Sequence, residues 1–241
     1  MKMNTWYYVA ALVLVGSFGS PSWAKSGSKN HSVAIETVIY KVKAEYLSEF
    51  ANTQKILHKK LSKMPGFISS MALQDTEVAS VFMDYIFWRN PESHDKAGEK
   101  VVTTKAFKEY SQAIEKMLVF SVGSAEDNNR HEKAELSKAV IEIAVYTTKK
   151  QFNQEFGKYR PQTAEWLEHL RGYRGYITSH DFKRQNFHTD TVLWSNLPDA
   201  LYAFKLFSHT DFLNQMAKTM DKVHYYGHFE ILDFQGYIGV R

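Results

Sequence analysis

The sequence predicts an α+β protein built from two tandem ferredoxin-like modules, each with the order βαββαβ, that pack sheet to sheet within one chain. Three observations carry this reading. The chain repeats itself at an offset of 106 residues. Each copy orders its apolar periods as strand, helix, strand, strand, helix, strand. The third strand of the first copy is apolar on both faces, so helices can cover only one of them.

The repeat is visible in four blocks. Val33-Ala34-Ile35-Glu36-Thr37-Val38-Ile39-Tyr40 aligns with Ala139-Val140-Ile141-Glu142-Ile143-Ala144-Val145-Tyr146. Asp84-Tyr85-Ile86-Phe87-Trp88-Arg89-Asn90 aligns with Asp190-Thr191-Val192-Leu193-Trp194-Ser195-Asn196 at the same offset. Between them, Gly66-Phe67-Ile68-Ser69-Ser70 reads against Gly175-Tyr176-Ile177-Thr178-Ser179, and later Ala106-Phe107 reads against Asp211-Phe212.

Each copy opens with a strand, about 33–43 and 139–148. A helix follows, because Tyr46, Phe50, Ile56, Leu57 and Leu61, and then Phe152, Phe156, Trp166, Leu167 and Leu170, recur near helical spacing. Pro161 predicts a kink or break in the second of these helices. Glycine after each helix suits the turn into strand two, about 66–74 and 175–183. Strand three covers about 79–88 and 189–195. Asn90-Pro91-Glu92-Ser93 and Asn196-Leu197-Pro198-Asp199 are helix starts. They open a second helical region, about 92–117 and 198–222, interrupted at Thr103-Thr104 and Ser208-His209-Thr210. The fourth strands are expected at about 118–123 and 224–232.

These elements divide the chain into module one, residues 33–123, and module two, residues 139–241, with a polar linker over 124–138. Residues 25–32 form a polar lead-in. Residues 1–24 have the pattern of a secretory signal peptide: Lys2 at the start, an apolar run from Val9 to Val15, and Ser22-Trp23-Ala24 as the cleavage site. The expectation is an exported, periplasmic protein. The apolar run is shorter than the ~20 residues a spanning helix needs, and no later segment is long and apolar enough to span.

Composition narrows the chemistry. The chain has no cysteine, which excludes disulfides, thiol nucleophiles and thiolate metal sites. The net charge of +4 is spread among both signs and forms no basic stripe, so a nucleic-acid partner is not expected. Phosphate loops, nucleophile elbows and dinucleotide fingerprints are missing. His224 and His228 would share a face if extended, and His180 or His188 could approach them, but no third ligand is evident in sequence. No metal site is assigned.

The strand-helix-Gly-strand pattern, the strand ending in Trp88 or Trp194, and the helix carrying Phe107 or Phe212 resemble the antibiotic biosynthesis monooxygenase-like module of the dimeric α/β-barrel superfamily. The resemblance covers about 33–123 and 139–232. It implies that this chain is a fused dimer, a monomeric pseudo-dimer closed as an intrachain barrel. It also implies oxygen chemistry on electron-rich aromatics without a cofactor. Haem-degrading members of the superfamily place an Asn on strand one, a Trp on strand three and a His late in the second helix. Here only Trp88 and Trp194 match; Ser111 and Met216 stand near the His position and neither first strand has an Asn. Haem is therefore not expected.

Period two puts Glu36 with Tyr40, and Asp84 with Trp88, each pair on one strand face. Glu142 with Tyr146 and Asp190 with Trp194 repeat the pattern. Carboxylates in a covered sheet must be paired or protonated, which suits proton transfer. Tyr and Trp can hold a planar ring and donate to an oxyanion. These eight residues are the candidate substrate-binding set. The same pattern also fits carboxylates at sheet rims and tryptophans that anchor the core. Three functions stay open: a monooxygenase of a small aromatic or quinol-like compound, a non-catalytic binder of such a molecule, and a structural or interaction protein.

Overall fold

The computed structural model describes residues 32–129 and 138–236. The expected signal peptide and the first residues of the lead-in lie outside them, as does most of the linker. Module one runs β1 (Ala34–Val42), α1 (Leu47–Leu61), β2 (Phe67–Asp75), β3 (Val81–Trp88), α2 (Pro91–Val101), α3 (Lys105–Ala113) and β4 (Ile114–Asn129). Module two repeats it with β5 (Val140–Thr148), α4 (Asn153–Glu168), β6 (Tyr173–Asp181), β7 (Phe187–Trp194), α5 (Leu197–Phe207), α6 (Asp211–Thr219) and β8 (Met220–Gly236). Every element of module two starts 106 residues after its counterpart.

That constant offset corrects two blocks of the sequence alignment. Gly66 corresponds to Gly172 and not to Gly175. Both sit at positive φ, 86° and 81°, in the turn from helix to strand, a conformation that costs glycine nothing. Likewise Phe107 corresponds to Leu213 and not to Phe212. The similarity of Gly66-Phe67-Ile68 to Gly175-Tyr176-Ile177 is a coincidence of strand composition, three residues out of register.

The helix starts follow from local chemistry. Asn90 and Asn196 accept the backbone N–H of Ser93 and Asp199, and Thr104 and Thr210 cap the next helices through the N–H of Phe107 and Leu213. Such caps satisfy donors that would otherwise go unpaired. Pro161 lies inside α4, so the helix expected to break there runs on.

The eight strands form one closed antiparallel barrel in the order β1-β3-β2-β8-β5-β7-β6-β4. Within each module the order is that of the ferredoxin-like unit. Between modules, β2 pairs with β8 and β4 with β6. The fourth strands make this closure possible, and they are longer than the sequence predicts. They begin at 114 and 220, where a helix is expected, because Ile114 and Met220 already pair with Val42 and Thr148. They run on to 129 and 236 because the other module supplies a partner: Asn129 faces Tyr176 and Gly236 faces Ser69. Residues 124–129, read as the start of a linker, are therefore strand.

Strand alternation sends one set of side chains into the barrel and the other out beneath the helices. The interior holds Ile35, Ile39, Leu73, Met83, Tyr85 and Phe87 from module one, packed with Ile141, Ile143, Val145, Phe187 and Phe229 from module two. The outer face of module one packs Val38, Tyr40, Phe82, Ile86 and Trp88 against α1, α2 and α3. Among the described residues no helix is long and apolar enough to cross a membrane.

Because the interior is shared, both modules should unfold together. Phe229 is fully buried there, so Phe229→Ala is expected to cost about 3–5 kcal/mol. Urea denaturation followed by tyrosine fluorescence and by far-UV dichroism should give one coincident transition, moved to lower urea. Two separate transitions would show that the modules fold independently.

Candidate active site

All eight residues expected from sequence lie on the outer, helix-covered face of the barrel, four per module. In module one they form two groups. Trp88 Nε1 donates to Glu36 Oε2 at 3.1 Å. Asp84, buried, accepts from Gln54 Nε2 at 2.8 Å, lies 2.7 Å from His58 Nε2, and accepts from the Tyr110 hydroxyl. Gln54 also donates to the Tyr40 hydroxyl at 3.1 Å. Tyr40 thus joins Asp84 and not Glu36, its neighbour on the strand. Burial and the adjacent Asp84 carboxylate both push the Tyr40 and Tyr110 hydroxyls well above the usual phenol range. They stay protonated.

A cavity of about 60 Å³ lies between β1 and β3 on one side and the three helices on the other. Glu36, Asp84, Trp88, His94, Tyr110 and Ser111 supply polar groups, and Val38, Leu57, Ile86, Phe107 and Met117 are among its apolar walls. Gly98, Ser111 and Met117 lie at its partly exposed side. The two carboxylates differ in one respect. Both oxygens of Asp84 are occupied. Trp88 and His94 both approach Oε2 of Glu36, His94 Nε2 at 3.6 Å, while Oε1 accepts no hydrogen bond from the described residues.

His94 was not singled out in the sequence, nor were Gln54, His58 and Tyr110. A signal was present. Gln54 and His58 fall on the same face of α1 as Phe50, Leu57 and Leu61, and all five are buried. Polar residues at core positions of an amphipathic helix must find partners inside. The histidines considered from sequence, His180, His188, His224 and His228, lie in module two. Among the described residues no group of three or more potential ligands could hold a metal ion.

Module two conserves the frame and changes the contacts. Trp194 Nε1 donates to Glu142 Oε2 at 2.7 Å, and the Tyr226 hydroxyl donates to Oε1 at 2.8 Å. Asp190 accepts from Tyr146 at 2.6 Å and from Arg160 Nη2 at 3.2 Å. Arg160 stands where module one has Gln54. Burial raises the Glu142 pKa, against the opposing pull of His228, Tyr226 and Trp194. Burial, the Arg160 cation and His180 hold His188 down at about 3, so it is neutral.

The model of the antibiotic biosynthesis monooxygenase family matches residues 34–112, the span that contains every polar group of the module-one cavity. The first module is an antibiotic biosynthesis monooxygenase domain. Solved structures extend the fold of this domain pair over the whole chain. A candidate monooxygenase from Fusobacterium nucleatum covers 88% of this chain and 97% of its own, with a TM-score of 0.70 and 10% identity. An anthrone oxidase-like protein covers 86% and 94%, with a TM-score of 0.67 and 10% identity. A candidate monooxygenase from Lactobacillus acidophilus covers 85% and 96%, at 0.60 and 9%. At these identities the likeness is one of fold: the tandem dimeric α/β-barrel. No curated protein sequence matches the chain.

Electrostatics of module one give a pH signature. Burial disfavours the charged form of His94, but the carboxylates of Glu36 and Asp95 outweigh it and raise its pKa to about 9. A pKa raised by folding stabilises the protein fully below the unfolded value near 6.5, and the contribution fades as pH rises through about 9. His94→Gln should therefore destabilise by up to about 3 kcal/mol at pH 6 and by much less at pH 9.5. Urea unfolding of both proteins at the two pH values measures this. Equal losses at both would show that His94 is not protonated in the folded state.

Proposed function

We propose that module one is a cofactor-independent monooxygenase acting on a small single-ring phenol or quinol. One observation carries the reading: Glu36 is a cavity carboxylate with one oxygen unused by the described residues, its other oxygen held between an indole N–H and a histidine. The cavity volume of about 60 Å³ is below the ~150 Å³ known to take benzene in an apolar core. A single ring fits only as walls such as Met117 yield, which a flexible thioether allows. Fused rings are disfavoured.

The chemistry follows from the charges. Glu36 Oε1 takes the substrate O–H proton. Protonated His94 offsets the negative charge left on the substrate oxygen, which stabilises the oxyanion in a poorly solvated site. The electron-rich ring carbon then bonds to O₂, giving a hydroperoxide. That carbon loses its proton to a base, the O–O bond breaks, and the leaving oxygen departs as water. For a quinol the balance is quinol plus O₂ to hydroxyquinone plus water. All four electrons come from the substrate, so no external reductant is needed. Asp84, with both oxygens occupied, anchors α1 and α3 to the sheet and takes no part in proton transfer.

The leader read in residues 1–24 supports placing this activity in the periplasm. The likeness to an anthrone oxidase-like protein and to candidate monooxygenases supports the reaction class, and cavity size and charge support the substrate class.

The test is oxygen uptake by the full chain with hydroquinone and a panel of monocyclic phenols. Glu36→Gln is expected to lower kcat by about 10²-fold or more. Trp88→Phe, which removes the N–H while keeping a ring, should cost about tenfold. Saturable binding of panel compounds with no oxygen uptake would replace this reading with that of a small-molecule binder. Neither binding nor uptake would leave an interaction protein.

A further inference from the structure

The two modules share a backbone at a constant offset, so each cavity-lining position in module one has a defined counterpart. Gly98, in α2, lines the cavity at its partly exposed side, and a Cβ placed there would meet open space. A glycine inside an exposed helix costs stability relative to alanine, so its presence needs a reason other than helix formation. Its counterpart in α5 is Phe204, and the counterpart of Phe120 is Tyr226.

Phe204 and Tyr226 pack ring against ring, with centroids 5.1 Å apart and planes tilted by 33°. Both are partly exposed, at 42% and 37%. They lie at the surface, and the Tyr226 hydroxyl reaches inward to Glu142 Oε1 at 2.8 Å. The pair occupies the approach to Glu142 and takes up the oxygen that is unused in Glu36. The Arg160 contact with Asp190 occupies the other carboxylate of that module.

We infer that Gly98 is the specificity-determining position of this protein: it keeps the module-one mouth open, while Phe204 and Tyr226 close the module-two copy, so that the chain binds one aromatic molecule and not two. The inference builds on the proposed pocket but concerns occupancy, which can be measured without turnover.

Methionine methyls report on each module separately, since Met117 lines the module-one cavity and Met216 packs beside Tyr146 in module two. The experiment is an anaerobic titration of the methyl-¹³C-methionine-labelled full chain with hydroquinone, read by NMR and by calorimetric stoichiometry. The expected result is a saturating shift at Met117, none at Met216, and one equivalent bound. Gly98→Ala, which places one methyl in open space at the mouth, should raise Tm and weaken binding, by less than Gly98→Phe does. Gly98→Phe should keep the fold, shown by an unchanged Met216 signal, and lose at least tenfold in affinity. Two equivalents in the wild type, shifts at both methionines, or full affinity in Gly98→Phe would overturn the inference. One equivalent bound with no oxygen uptake would overturn the monooxygenase reading alone. A wild-type chain that binds no hydroquinone would overturn both.

Discussion

Each four-stranded sheet in this protein is buried on both faces, and that constraint governs the rest of the structure. Helices can cover one face only. The other must meet a surface of similar shape and polarity, and the nearest such surface is the second copy of the same sheet. Burying Ile35, Ile39, Met83 and Phe87 against Ile143, Val145 and Phe229 removes from water a surface that neither module could leave exposed. The long fourth strands then pair across the seam, which also removes the sheet edges that would otherwise invite aggregation. Because both partners are in one chain, the barrel closes at no cost in subunit concentration.

Closing the barrel on itself leaves the outer face, beneath the helices, as the place of the module-one cavity. Carboxylates there sit between a sheet and helices, where an unpaired charge is expensive. The protein meets the cost in two ways. Asp84 is fully surrounded by donors from α1 and α3, so it ties those helices to β3. Glu36, among the described residues, is paired on Oε2 only, so its other oxygen is left to the cavity. His94 adds a positive charge beside it, held in place by Asp95 on the same helix at 2.9 Å.

Duplication provided two such faces, and they have diverged. The frame of tryptophan to glutamate and tyrosine toward aspartate persists in both modules, since it fixes strand one to strand three. What surrounds the frame differs. In module two Arg160, Tyr226 and Phe204 stand where module one has Gln54, Phe120 and Gly98. The barrel needs both modules for its core.

The sequence by itself determined the architecture. Period-two and helical spacings, the caps at Asn90, Thr104, Asn196 and Thr210, and the repeat of Glu36, Tyr40, Asp84 and Trp88 in Glu142, Tyr146, Asp190 and Trp194 are all local signals, set by backbone geometry over a few residues. They placed the strands and helices and put each Glu–Tyr and Asp–Trp pair on one face of its strand. Tertiary structure alone decided the length of the fourth strands, the true register of Gly66 with Gly172, and which polar groups meet. Those features depend on partners far away in sequence: β4 ends where β6 ends its pairing, Tyr40 turns to Gln54 and not to Glu36, and His94 becomes part of the site because α2 docks over β1. Spacing along a chain reports which face a side chain takes. Only the packing of one element on another reports what it finds there.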